Sequence, residues 1–153
     1  MVKFDAIAKD IIEKEKFQAL KDEPHHGLNR YEHVIRVAKK TYRISSMLGM
    51  DYVSATRGAL LHDYFTNDEY KNTKRTKKGS MHPIIALNNA RCEYDLNEKE
   101  ENIIISHMYP LGKIRPNCKE GWVVSIVDKN VALYECTRYK FKSFLKRKIK
   151  ERY

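Results

Sequence analysis

The sequence contains six histidines, and one of them stands beside an aspartate at the end of an apolar run, "GALLHDYF" at 58–65. Imidazole and carboxylate together suit divalent transition metals such as Mn, Fe, Zn or Ni. Successive residues of a helix point about 100° apart. His62 and Asp63 can therefore approach one ion from two sides where a helix ends, or they can serve as a polar capping pair. Asp128 is the second indication. It interrupts "WVVSIVDKNVALY", a stretch whose composition predicts burial. A buried carboxylate needs a cation beside it, because an unpaired one costs several kcal/mol. A metal would serve, and so would Lys129 or an arginine. His33, His82 and His107 supply further imidazoles. For His33 the alternative is a buried, hydrogen-bonded histidine, and for His82 and His107 it is support of an ion held by others.

The elements that must position these residues are helical. Apolar periodicity predicts helices over 3–22, 31–49, 51–64, 81–94, 97–108 and 120–139, followed by a basic helix at 138–150. Gly49 is the expected stop of the second helix, and Asp51 the expected cap of the third. Asn97 and Glu100 have the spacing of a capping box. No stretch reads as a strand, and the helix at 120–139, the most apolar, is expected to be central. The fold expected is an all-α bundle of about seven helices in one domain, 1–153. Candidate ligands fall on successive helices: His33, then His62 and Asp63, then His82, His107 and Asp128. Ends of packed helices can bring such residues to one pocket.

Other residues have two readings each. Arg30 lies three positions before His33, hence near the same helix face, and suits either a substrate phosphate or an ion pair. Lys129 could reach a phosphate as a point charge or bridge to a neighbouring helix. Arg57, five positions before His62, points elsewhere and reads as structural. His25 and His26 fall in a loop and are expected at the surface or the mouth of a pocket. Tyr64, Phe65, Tyr109 and Trp122 read as core.

Composition limits the partners. The net charge is +10, with much of it in "KNTKRTKK" (71–78) and "RYKFKSFLKRKIKER" (138–152). Such a balance favours anions: nucleotides, phosphoesters or nucleic acid. The loop at 71–78 could act as a lid. No run of about 18 apolar residues is present and the N-terminus lacks a secretory apolar stretch, so a cytoplasmic protein with no membrane partner is expected. Cys92, Cys118 and Cys136 show no CxxC pairing and read as free thiols. Two classes of function therefore stand side by side, an enzyme acting on phosphate compounds and a basic nucleic-acid-binding protein or nuclease whose histidine–aspartate site is structural.

The order His33, His62–Asp63, Asp128 resembles that of the HD-domain metal-dependent phosphohydrolases. "YEHVIRVAKK" is similar to their first-histidine helix, "RGALLHDYF" to the helix that ends in HD, and "MHPIIALNNA" to the His-Pro helix of the two-metal branch. "IIISHMYPLG" and "SIVDKNVALYE" are similar to the later histidine and final aspartate helices. The resemblance spans about residues 25–136, the HD-like core, with 3–22 and 138–150 flanking it. It implies an HD-like bundle and two divalent ions per chain (Mn, Fe, Zn, Ni or Mg). His33, His62, Asp63 and Asp128 would hold one ion, and Asp63 would bridge to a second held by His82 and His107. It further implies hydrolysis of a small phosphoester, a nucleotide or related compound, by a metal-activated water or hydroxide. Asp63 is expected at the reacting centre, joined by Lys129 and Arg30 on the phosphate-binding reading of those two residues. The chain has no histidine in 66–80 and only "SHMYP" at the fifth helix, which weighs against cyclic-dinucleotide hydrolysis.

Overall fold

Asp51 accepts a hydrogen bond from the Ser54 N–H at 3.0 Å and so starts the helix around which the other elements pack. The computed structural model describes residues 1–25, 27–70 and 78–150. In chain order these form α1 (Phe4–Ile12), α2 (Glu15–Ala19), a 3-10 turn (Leu20–Asp22), β1 (Pro24–His25) and β2 (Leu28–Asn29). Then come α3 (Arg30–Met47), α4 (Tyr52–Leu61), α5 (Asn67–Tyr70), α6 (Lys78–Glu93), α7 (Glu98–Ser106) and α8 (Lys119–Lys150). The architecture is all-α, as expected. Most of the loop read as a lid (71–77) and His26 lie outside the described residues.

The expected central helix, 120–139, gives way to α4. Ala55, Gly58, Ala59, Leu60 and Leu61 are buried, which leaves α4 apolar nearly all round. Helices α1, α3, α6, α7 and α8 surround it. The small residues permit close contact: a Cβ added to Gly58 would lie 2.7 Å from Cγ2 of Ile103 on α7. By contrast, α8 buries Val124, Val127 and Val131 on one side and exposes Ile126, Leu133 and Tyr134 on another. Its apolar residues occupy two faces, so total apolarity overstated its burial. The helix also runs unbroken through the tail that the sequence suggested as a separate element.

Two other boundaries differ from expectation. The predicted helix 3–22 breaks where Lys14 becomes extended (φ −70°, ψ 136°), and Gln18 Nε2 donates to the freed Ile12 carbonyl at 2.6 Å. The break turns Phe17 and Leu20 into the core, with Phe17 edge-on to Tyr31 at 5.5 Å. The loop expected to carry His25 and His26 contains a short antiparallel ladder pairing Pro24 with Asn29 and His25 with Leu28. Gly27 turns it with φ +84°, and a Cβ there would run into the Tyr139 ring. Both facts require glycine. The other caps follow expectation: Gly49 (φ 62°) reverses the chain after α3, and Asn97 with Glu100 forms the capping box of α7. None of the three cysteines forms a disulfide, and no described helix is long and apolar enough to cross a membrane.

Gly58→Ala would gain helix propensity but force Ile103 and its backbone to move. A net loss of about 1–3 kcal/mol is expected, read as a lower urea midpoint. Asp51→Ala should cost about 1 kcal/mol at neutral pH. Burial pushes the Asp51 carboxyl up, but hydrogen bonds from Ser54 and Lys99 outweigh it and hold the group below its ordinary value. A depressed carboxylate stabilises the fold above its unfolded pKa of about 4 and stops doing so as pH falls through the lower folded value. The stability gap between wild type and Asp51→Ala should therefore narrow below about pH 4 in denaturation curves.

Candidate metal centre

The carbonyls in the last turn of a helix lack intrahelical partners. In α4 and α7 a histidine just beyond the helix takes one of them. His62 Nδ1 donates to the Ala59 carbonyl at 2.7 Å, and His107 Nδ1 donates to the Ile104 carbonyl at 2.8 Å. Each bond caps its helix and fixes the ring with the proton on Nδ1, which turns the Nε2 lone pair inward. His33, in the first turns of α3, is held by a different partner. Its Nδ1 donates to Glu135 Oε2 of α8 at 2.8 Å, and its Nε2 lies 3.0 Å from Asp128 Oδ1. Arg36 in turn pairs with the other Glu135 oxygen.

The two aspartates sit between these rings. Asp63 Oδ1 is 3.5 Å from His82 Nε2 and 3.6 Å from His107 Nε2, while its Oδ2 is 3.9 Å from His62 Nε2. Asp128 Oδ1 lies 3.5 Å from His62 Nε2. His82 and His107 place their Nε2 atoms 2.9 Å apart. The structure thus brings together all six residues that the sequence singled out: His33, His62, Asp63, His82, His107 and Asp128.

It adds two more. His25, expected at a pocket mouth, reaches within 3.8 Å of Asp63 Oδ2 and packs its ring 4.4 Å from that of His33. No periodicity marks the hairpin that carries it. Glu135 follows Asp128 by seven residues, two helical turns, and so shares its face. That spacing was the available signal.

The donors fit a divalent ion. At metal–ligand bonds of about 2.1 Å, two ligands of one ion stand roughly 3.0–3.5 Å apart. The triplets His33–His62–Asp128 and His62–Asp63–His107 each offer donor atoms within 4.8 Å of one another, and so does His25–His33–Asp63. Buried His62 Nε2 and Asp63 Oδ1 have no hydrogen-bond partner, a costly arrangement that a cation relieves.

Charge points the same way. Burial raises the Asp63 and Asp128 carboxyls, but the surrounding imidazoles outweigh it and hold both well below the usual carboxylate range. Burial lowers His33, yet Asp128 and Glu135 raise it to about 9. His107 is pushed down to about 3, by burial and then by the positive potential of His62 and His82. Two ionised carboxylates in one buried cluster require positive charge beside them.

Beyond the cluster opens a cavity of about 580 Å³, walled by His25, Arg30, Phe65, Met108, Leu111 and Lys129. The Arg30 guanidinium lies over the Phe65 ring and donates to the Phe65 carbonyl (2.6 Å) and Asn67 Oδ1 (3.2 Å). Lys129 Nζ donates to the His107 carbonyl (2.7 Å) and to the Ser125 carbonyl and hydroxyl (3.1 and 2.9 Å). Its bridge to a neighbouring helix is thus a bond to the end of α7. Arg57 pairs with Asp10 and Glu100, a structural role as read. Tyr64 is core, and Tyr109 meets Trp122 edge-on.

A family model for the HD domain matches residues 30–133, more than half of the chain and a span that holds all six of these residues but neither His25 nor Glu135. The chain belongs to the HD domain family, whose domain is typical of metal-dependent hydrolases. Comparisons with curated proteins and with solved structures each return no match.

Glu135→Ala should leave helix content unchanged while weakening Mn²⁺ or Zn²⁺ affinity about 10- to 100-fold, because His33 loses the acceptor that orients it. Titration against a competing chelator measures this directly.

Proposed function

We propose that the protein is a metal-dependent phosphohydrolase that cleaves a small phosphoester, a nucleotide or a related phosphate compound. One observation carries this reading: donor atoms from successive helices converge beside a cavity, with the outer nitrogens of His33, His62 and His107 already tied to a carboxylate or a carbonyl. We further propose two ions. His33, His62, Asp63 and Asp128 would hold one ion, and Asp63, His82 and His107 would hold the other. Asp63 turns Oδ2 toward His62 and Oδ1 toward His82 and His107, which supports a carboxylate shared by both sets. Bound divalent ions supply Lewis acidity, which acidifies water and neutralises phosphoryl charge.

The remaining roles belong to the chain's own side chains. Asp63 holds the two ligand sets in fixed relation. Lys129 ties the end of α7, and so His107, to α8. Arg30 fixes the segment that follows Asp63, pairs with Glu23 at 3.7 Å and lines the cavity wall, where a guanidinium favours a phosphate. The cavity volume lies within the range of small-ligand sites. The net charge of +10 raises the local concentration of anionic substrates.

Elemental analysis of protein purified without chelator should find about two ions per chain, falling to about one in His82→Ala. Asp63→Ala should lose both metal and hydrolysis of nucleotide substrates. Retained turnover in Asp63→Ala would overturn the proposal, and one ion in both wild type and His82→Ala would reduce it to a mononuclear site.

A further inference from the structure

Beyond Tyr139, whose ring packs against Gly27, α8 leaves the body of the protein. Every residue from Thr137 to Lys148 is exposed, although the helix continues to Lys150. A solvated helix of this length is marginal by itself, so something other than local propensity must account for its sequence. That sequence is not the polar one expected of a free helix. Leu133 is 65% exposed, Phe141 63%, Phe144 47% and Leu145 43%. Ile126, Leu133 and Phe144, seven and eleven residues apart, return to one side of the helix, with Phe141 and Leu145 beside them. This side faces away from the one that buries Val124, Val131 and Glu135. Lys140 and Arg147 flank this apolar side and Lys148 falls within it, and residues 136–150 contain no acidic side chain.

Charge decides among the possible occupants. A second copy would bring the same cations against each other. The chain's own segment 71–77, "KNTKRTK", is basic as well and offers no complement. The partner is therefore anionic. It must also remove aliphatic surface from water. Nucleic-acid bases stack on planar rings and gain little from Leu133, Leu145 or Ile126. An anionic bilayer meets both demands, phosphates for the lysines and an acyl boundary for the apolar side chains.

We infer that the projecting half of α8 is a docking surface for an anionic lipid membrane. Leu133, Phe141, Phe144 and Leu145 enter the headgroup boundary, and Lys140, Arg147 and Lys148, on the same side, meet lipid phosphates. The expectation of no membrane partner rested on the lack of a spanning run, and a helix lying in the interface needs none. The long stems of the lysines extend the apolar contact while their ammonium groups stay in water.

The test is co-sedimentation of the full chain with vesicles of phosphatidylcholine alone and with one quarter phosphatidylglycerol. Binding is expected only to the anionic vesicles, and it should weaken as salt rises. Phe141→Ser/Phe144→Ser should lower it about tenfold or more. Lys140→Gln/Arg147→Gln/Lys148→Gln should abolish the preference for phosphatidylglycerol. All these positions are exposed, and unchanged circular dichroism and metal content would confirm that the variants fold. Absence of wild-type binding to either vesicle overturns the inference. So does a dimer by light scattering that Phe141→Ser/Phe144→Ser dissociates, which assigns the face to a second copy. Salt-sensitive binding of a short RNA in place of vesicles, unaffected by the phenylalanine changes, assigns it to nucleic acid and overturns the inference too.

Discussion

Two carboxylates, Asp63 and Asp128, are buried within a few ångströms of the same imidazole, His62, and the need to balance their charge governs the arrangement of the fold around them. Among the described residues, neither has an arginine or lysine as its hydrogen-bonded partner. The Lys129 ammonium, adjacent in sequence to Asp128, is directed to carbonyls at the end of α7, and Arg36 is directed to Glu135. Imidazoles surround the pair, and imidazoles can surrender their protons to a metal, whereas guanidinium and ammonium groups cannot do so readily. The interior therefore holds a site whose positive charge is exchangeable. This is the physical content of placing histidines where a core would otherwise take a salt bridge.

Helix termini solve the positioning problem. A helix end has spare carbonyls, and each of α4 and α7 uses one to hold a histidine ring in a single tautomer. The same bond finishes the helix and aims the lone pair, so local stability and ligand geometry depend on one contact. Helix α4 can bring His62 and Asp63 into the centre because it is short, apolar and lined with small residues. Helix α8 contributes at mid-length, and Asp128 and Glu135, two turns apart, reach opposite nitrogens of the same His33 ring. That ring joins α3 to α8 as firmly as any packed side chain.

Most of this was legible in the sequence, for identifiable reasons. Helix starts were readable at Asp51 and Asn97 because a cap is a local event. The six clustered residues were readable because each stands in a distinctive context, with Asp128 the plainest, a carboxylate in an apolar helix. Glu135 was not found. Its relation to His33 spans 102 residues, and a glutamate near a basic tail looks like surface. His25 was placed only vaguely, since a two-residue ladder leaves no periodic trace. The burial of α4 over α8 was misjudged because composition reports how apolar a helix is, not how its apolar residues divide between faces. The break at Lys14 followed from the tertiary demand to bury Phe17 and Leu20, which no local propensity encodes.

The contact between Gly27 and the Tyr139 ring has a mechanical meaning. The turn of the hairpin abuts the helix with no room for a methyl group between them, and such packed contacts transmit displacement rather than absorb it. Gly27 is two residues from His25, which lies against Asp63. The hairpin is thus a strut between the outer half of α8 and the wall of the cavity. A tilt of that helix, from whatever load it bears, would be delivered to the histidine at the edge of the cluster.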